Sequence, residues 1–329
     1  MTNQNETMII VSFASQNLDR QKELYDGVQE LMRLRPFALR FPGNEQEALG
    51  ELREAEVLFT WRLTEDMFRV ANRLKWVHLG GAGVDQILFP AFRESSITLT
   101  NSKGMHGPYI AEWALAALLH ISQRFSEVEV WRRDRQWKSH KQEITRERFV
   151  LAGQRALIVG YGSVGQAIGK ELQAVGVTCE GITASIRPAP VPLHALADLA
   201  AIIGNFDLVI VALPLTAETR NLFTCDVFSR MKSGSVFVNV ARGKIVDESA
   251  LIETLISGPM SYAALDVFAE EPLPENSPLF DLPNLFMTPH VSGNYPDYSR
   301  VANDLFLANL RRYLNGEALE NVVDKQKGY

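Results

Sequence analysis

Cysteine is scarce in this chain. Cys179 and Cys225 are the only two in 329 residues, too few for a disulfide framework and wrongly spaced for a metal site. A reducing compartment and no bound metal are the simple expectations. Basic excess is also missing. Lys and Arg number 33 against 39 Asp and Glu, a formal charge of -6, whereas a general nucleic-acid binder needs a basic surface to displace counterions. The longest apolar stretches, around 114–119 and 208–215, fall far short of the roughly 18 residues of a membrane span. The opening MTNQNETMIIVSF has no basic region ahead of its short apolar run, which argues against a signal peptide. A cytoplasmic protein with no nucleic-acid or membrane partner is therefore expected. What remains is ordinary globular composition, 46% apolar and 22% charged, at a length that suits about two domains.

Strand and helix signals alternate twice. In the first hundred residues strands are expected at Met8–Phe13, 38–41, Val57–Thr60, 74–79 and 97–100, with a helix over 19–34. A glycine-rich turn (Gly80, Gly81, Gly83) follows the fourth strand. Such alternation predicts a parallel sheet with crossover helices. Pro108 suits the first position of a helix, where a missing N–H costs nothing. The helix it opens, 109–122, is apolar nearly all round, which predicts burial in a core or in a subunit contact. The stretch 127–141, with Trp131, Trp137 and many arginines, reads equally as a solvated arm with packed aromatics or as a subunit contact. The second series starts at Arg155, with strands at 156–159, 177–182, 208–213, 236–240, Tyr262–Leu265 and 285–288 and a helix over 164–175. After His290 only a loop and a long helix, 299–314, remain, and that helix is expected to pack back on the first half. The second domain is then inserted into the first.

One turn carries a ligand signal. ALIVGYGSVGQAIG sets Gly160, Gly162 and Gly165 directly after a strand and at the start of a helix, the context in which G-x-G-x-x-G binds a dinucleotide. Gly160 allows the tight turn, Gly162 the approach of a pyrophosphate, and Gly165 close packing of helix on sheet. The helix N-terminus offers free N–H groups to the phosphates. The tip of the next strand then selects the cofactor. Glu180 falls inside that strand; at its end stand Thr183, Ser185 and Arg187. Hydroxyls and a guanidinium suit the 2′-phosphate of NADP better than the bare ribose of NAD, so NADP is favoured and NAD is the alternative.

Three later segments each present a charged group where a strand ends: Arg242 in VNVARGKIVDE, Asp266 and Glu271 in ALDVFAEEPLP, and His290 in LFMTPHVSGN. Ligands of open α/β sheets sit beyond the carboxyl ends of the strands, so these side chains converge on the cofactor. Reduction of a 2-oxo acid needs a hydride at the carbonyl carbon and a proton at its oxygen. His290 can give that proton, with Glu271 beside it to favour the imidazolium and fix the ring. Arg242 can clamp the substrate carboxylate and polarise the carbonyl, and Asp266 can bond the nicotinamide amide. His78, His106, His120, His140 and His194 read as structural, although His106, close to Pro108 and the domain boundary, also reads as site-lining.

The segments GAGVD (81–85), GYGSVG (160–165), LPLTAET (213–219), VNVARGKIVDE, ALDVFAEEPLP and MTPH, in that order over about 57–320, resemble those of the D-isomer-specific 2-hydroxyacid dehydrogenase family. The resemblance implies an α/β fold of two doubly wound parallel-sheet domains. A Rossmann nucleotide-binding domain (104–293) is inserted into a flavodoxin-like substrate domain (1–103 and 294–329). It makes Arg242, Glu271 and His290 the catalytic residues and places Ala82 and Gly83 on the substrate carboxylate. The cofactor would meet Gly160, Tyr161, Gly162, Ser163, Val164, Gly165, Leu213, Pro214, Thr219, Val240, Ala241, Asp266 and Gly293. Thr183 stands where NAD-preferring members carry Asp, as in NADPH-preferring glyoxylate/hydroxypyruvate reductases. A homodimer through the nucleotide-binding domain is implied, with loops near Trp61, Arg62, Gly80 and Met105, and Trp137 of the partner subunit, around the substrate. Two other readings remain open: a nucleotide-sensing scaffold that acts through protein partners, and a formate dehydrogenase-like enzyme, against which Glu271 stands because formate-oxidising relatives carry glutamine there.

Overall fold

The strands expected from the sequence form two separate sheets, both wholly parallel. The computed structural model describes residues 7–137 and 141–329; the first six residues and His140 lie outside the described residues. Strands β1 (Met8–Phe13), β2 (Phe37–Arg40), β3 (Val57–Thr60), β4 (Trp76–Leu79) and β5 (Thr98–Asn101) pair in the order β2-β1-β3-β4-β5. Strands β6 (Arg155–Val159), β7 (Thr178–Ile182), β8 (Leu193–His194), β9 (Leu208–Val211), β10 (Val236–Asn239), β11 (Tyr262–Leu265) and β12 (Leu285–Met287) pair as β12-β11-β10-β9-β6-β7-β8. These are the two common doubly wound orders, flavodoxin-like and Rossmann. The chain divides into two compact units, one of residues up to 105 and from 295, the other of 106–294. These boundaries lie two residues and one residue beyond those expected from the sequence.

Alternation along each strand supplies both faces of the second sheet. Leu157, Val159, Val209, Val211 and Phe237 enter one core, and Ala156, Ile158, Leu208, Ile210 and Val238 the other. A parallel sheet covered on both faces needs such continuous apolar runs. The helix Gly107–Ser122 turns Ala111, Ala114, Ala117 and Leu118 into the second of these cores and packs on the helix Ser163–Ala174. Small alanines let the two backbones approach. The helix is not buried all round, because Tyr109 and Leu119 stay exposed. In the five-stranded unit the helix Tyr298–Asn315 lays Ala302, Phe306 and Leu310, spaced i, i+4, i+8, on the core of Ile10, Phe59 and Trp76. Phe306 stacks on Phe59 with centroids 4.6 Å apart.

Two local expectations need correction, and the arm takes a defined form. The segment 19–34 is two helices, Leu18–Val28 and Leu31–Leu34. Gly27, which weakens a helix, sits near the break because a Cβ there would stand 2.5 Å from Leu307. Strand β8 was not foreseen, since two residues carry no periodicity. The arm is a helix, Phe125–Arg133, that buries none of its residues, and Trp137 is 89% exposed.

Candidate active site at the carboxyl end of the seven-stranded sheet

The strand order reverses between β6 and β9, and doubly wound sheets open their ligand crevice there. Gly160 follows β6 with φ +110°, a left-handed backbone that glycine adopts without cost. A Cβ on it would lie 2.5–2.6 Å from the Ala212 carbonyl at the end of β9. Gly165 lies so close to the Gly160 carbonyl oxygen that a methyl there would overlap it. Gly162 has nothing within 4 Å of its would-be Cβ, and it opens the helix Ser163–Ala174 without a side-chain cap. Open space beside the uncapped first-turn N–H groups of Ser163, Val164 and Gly165 is the cradle a dinucleotide pyrophosphate requires. These residues fit the cofactor. The Tyr161 ring is not offered to a ligand. It is buried and fills the room left by the missing side chains of Gly169 and Gly181.

The tip of β7 gathers the expected polar groups. Arg187 Nη1 donates to Thr183 Oγ1 at 3.3 Å and to the Ser185 carbonyl at 3.4 Å, and its Nη2 donates to the Tyr161 carbonyl at 2.9 Å. Glu180 is committed elsewhere. Burial alone would raise its carboxyl, but hydrogen bonds from Arg155 (2.9 Å) and His194 (2.7 Å) outweigh that and hold it below the ordinary range. After β9, Thr219 Oγ1 donates to the Pro214 carbonyl at 2.7 Å and closes the turn that begins at Leu213.

The charged groups come from three neighbouring strand ends. After β10, the buried Asn239 accepts from Ala241 N at 3.0 Å through Oδ1 and donates from Nδ2 to the Arg242 carbonyl at 3.0 Å. Val240 N reaches the Val211 carbonyl at 3.2 Å. Arg242 Nη1 donates to the Ala241 carbonyl at 2.8 Å. After β11, Glu271 Oε1 accepts from Phe268 N at 2.9 Å, and its Oε2 stands 2.7 Å from His290 Nδ1. The His290 side chain is 45% exposed, and its backbone is left-handed, φ +53°. Asp266 is fully buried. Its Oδ1 accepts from Thr288 Oγ1 (2.5 Å) and Val291 N (2.9 Å), and its Oδ2 from Ser292 N (2.9 Å). Buried carboxylates need such partners, and here they all belong to the segment that carries His290.

Sequence reasoning missed two residues of this region. Asn239 brackets the Arg242 turn. Gly243 lies against Phe268 so closely that a Cβ would coincide with the Phe268 carbonyl group, which locks the Arg242 turn to the 268–271 turn. A glycine beside the arginine of VNVARGKIVDE was the available signal. Of the histidines taken as structural, His78 is wholly buried against Thr100 (2.8 Å), and burial lowers it to about 3. His120 stands 2.6 Å from Ser126. His106 lies beside this site. Ala82 and Gly83 belong to the other unit, in the turn after β4, where Asn101 Nδ2 donates to the Ala82 carbonyl at 2.6 Å. There Trp61 packs on Gly80, whose Cβ would lie 2.7 Å from the indole, and Arg62 pairs with Glu45 at 2.8 Å. Among the described residues no group of three or more His, Cys, Asp or Glu could hold a metal ion, and no helix is long and apolar enough to cross a membrane.

A profile described as D-isomer specific 2-hydroxyacid dehydrogenase, NAD binding domain, matches residues 115–292, more than half of the chain. The chain belongs to that family. This dehydrogenase is 30% identical over 290 residues to the glyoxylate/hydroxypyruvate reductase A of Salmonella typhi, covering 85% of this chain and 90% of the relative. It is 29% identical to the D-3-phosphoglycerate dehydrogenase of Methanocaldococcus jannaschii, of whose length the match spans 54%. A solved NADPH-dependent glyoxylate/hydroxypyruvate reductase from Sinorhizobium meliloti, in complex with NADP and sulfate, superposes with a TM-score of 0.84 at 26% identity. That match covers 98% of this chain and all of the relative. A family member from Xanthobacter autotrophicus in complex with NADPH gives 0.79 at 27% identity, over 98% of this chain and all of that one. The enzyme is an oxidoreductase with an NAD-binding domain, and NAD or NADP fits its glycine turn. Gly165→Ala is expected to weaken dinucleotide binding at least tenfold, because the helix must move off the turn whose N–H groups it presents. Titration of protein fluorescence with NADPH checks this; an unchanged Kd would contradict it.

Proposed function

We propose that this enzyme reduces a small 2-oxo acid of the glyoxylate or hydroxypyruvate kind to the D-2-hydroxy acid, with NADPH preferred over NADH. The observation that carries the reading is the 2.7 Å His290–Glu271 pair at the end of the sheet that bears the glycine turn. When bound, the nicotinamide supplies the hydride for the carbonyl carbon. His290 gives its proton to the carbonyl oxygen as negative charge develops there. Glu271 holds Nδ1 and offsets the charge of the imidazolium before that transfer. Arg242 binds the substrate carboxylate and polarises the carbonyl. Asp266 fixes the His290 segment and bonds the nicotinamide amide, Gly293 lies along the cofactor, and Ala82 and Gly83 hold the carboxylate through backbone N–H groups. In this reading 106–294 is the dinucleotide unit and the remainder the substrate unit.

The gathering of Thr183, Ser185 and Arg187 supports NADP, and so do relatives solved with NADP or NADPH. The exposed apolar residues Tyr109, Leu119, Phe125, Val128, Val130 and Trp137 support a homodimer through this unit. A cytoplasmic location fits such an enzyme. A scaffold without turnover has no observation in its favour. Paired kinetics with NADPH and NADH on glyoxylate, hydroxypyruvate and pyruvate test the proposal, and turnover of none of them would end it. Arg187→Ala is expected to cut the NADPH over NADH preference in kcat/KM by about 10- to 100-fold, the worth of a charge-assisted hydrogen bond to phosphate. A wild-type preference for NADH would overturn the cofactor reading.

A further inference from the structure

In the five-stranded unit, the carbonyls of the turn after β4 are held from β5. A trans peptide unit is planar, and its C=O and N–H point in opposite directions. Whatever captures the carbonyl of one residue therefore aims the N–H of the next residue the other way. Consecutive residues at the end of β5 make two such captures. Ser102 N donates to the Gly81 carbonyl at 3.0 Å, and Asn101 Nδ2 donates to the Ala82 carbonyl at 2.6 Å. Both carbonyls thus face β5, and the N–H groups of Ala82 and Gly83 face away from it. Neither N–H meets an acceptor among the described residues. Ala82 is half-buried and Gly83 exposed. Consecutive backbone N–H groups turned to one side make an anion-binding concavity.

The two captures differ in kind. Ser102 uses its backbone N–H, which any residue but proline supplies. Asn101 uses its side chain, so the residue type decides. That amide is itself fixed. Asn101 is buried, and its Oδ1 accepts from Lys103 N at 3.3 Å, which leaves Nδ2 to face Ala82. The strand behind it is pinned by buried groups. Thr100 Oγ1 accepts from Trp76 Nε1 at 2.8 Å and lies 2.8 Å from His78 Nδ1, and Ser102 Oγ donates to the Leu79 carbonyl at 3.3 Å. A donor pair held in place this way spends little on ordering when an anion arrives. A carbonyl that accepts a hydrogen bond also polarises its peptide, which makes the N–H at the other end a stronger donor.

We propose that Asn101 is a positioning residue for substrate binding: by holding the Ala82 carbonyl it aims the Gly83 N–H, with that of Ala82 beside it, at the carboxylate of the 2-oxo acid. It acts through the peptide and not by contact with the substrate. The inference rests on the carboxylate reading of Ala82 and Gly83 given above and adds the side chain that builds that site. Asn101→Leu keeps the branched shape and removes the donor. With the full-length enzyme, NADPH and glyoxylate, KM should rise about 10- to 100-fold, the worth of a hydrogen bond to a charged group. The Ki of oxamate, an analogue that carries the same carboxylate and is not reduced, should rise by the same factor. The kcat should stay near wild type, because His290 and Glu271 belong to the other unit. The Kd for NADPH should not move. If Asn101→Leu does not fold, Asn101→Ala is read in the same way. Unchanged KM and Ki in a folded variant would overturn the assignment. So would a fall in kcat accompanied by loss of NADPH binding, which is what general damage to the structure produces. Wild type that reduces no 2-oxo acid and is not inhibited by oxamate would instead defeat the underlying reaction and its carboxylate site. That failure shows before any variant is made, so the two are distinguishable.

Discussion

His290→Asn is expected to lower kcat for 2-oxo-acid reduction by about 100- to 10,000-fold, the usual worth of a positioned general acid. Asparagine is the informative replacement. His290 sits at φ +53°, a region that asparagine tolerates and alanine resists, so the anchored segment 288–292 should keep its shape. Asparagine cannot release a proton to the carbonyl oxygen, while the dinucleotide turn, built from residues 160–165, is untouched. The expected pattern is therefore a collapsed kcat, a Kd for NADPH within a few-fold of wild type, and an unchanged Tm. Glu271→Gln should act in the same direction and alter the pH profile of kcat, because an amide still accepts from Phe268 N but no longer offsets an imidazolium. Retention of more than a tenth of wild-type kcat in His290→Asn would remove His290 as the proton donor.

Gly243→Ala is expected to damage both stability and catalysis through one methyl group. There is no room for a Cβ beside the Phe268 carbonyl, and the obstacle is backbone, which cannot rotate away as a flexible side chain can. The turn bearing Arg242 and the turn bearing Glu271 must separate. Overpacking of this kind costs about 2–4 kcal/mol, which corresponds to a Tm drop of several degrees in a domain of this size, roughly 2–4 °C per kcal/mol. The kcat/KM should fall at least tenfold even at a temperature where the variant is folded, since Arg242 and the His290–Glu271 pair no longer share a frame. Thermal unfolding and steady-state kinetics on the same preparation check both halves. A variant with wild-type Tm and activity would show that the two turns are not in contact.

The fold was legible because it is written in short apolar runs. Val57–Thr60 and Val236–Asn239 are buried at every position, as central parallel strands must be, and the glycine turn marks where the second sheet begins. The His290–Glu271 pairing was legible because strand ends of one doubly wound sheet share an edge. Less visible were features that depend on distance rather than pattern. Gly243 is read from sequence as one more loop glycine, and only the position of Phe268 explains it. Asp266 reads as a ligand group because it is charged at a strand end, and its hydrogen bonds to three donors of the His290 segment carry no sequence signal. Trp137 reads as packing material because it is large and apolar, yet it is 89% exposed among the described residues. The 19–34 helix reads as continuous because its apolar spacing survives the break between Val28 and Leu31.

The buried phenol of Tyr161 carries a consequence for how the coenzyme arrives. A phosphate-cradling loop that orders itself only on contact with its guest consumes part of the affinity in being stilled. Here an aromatic wedge beneath the loop, seated where Gly169 and Gly181 leave no side chains, freezes it when the polypeptide folds. The receptor is preformed, and capture of the coenzyme demands little rearrangement from this part of the molecule.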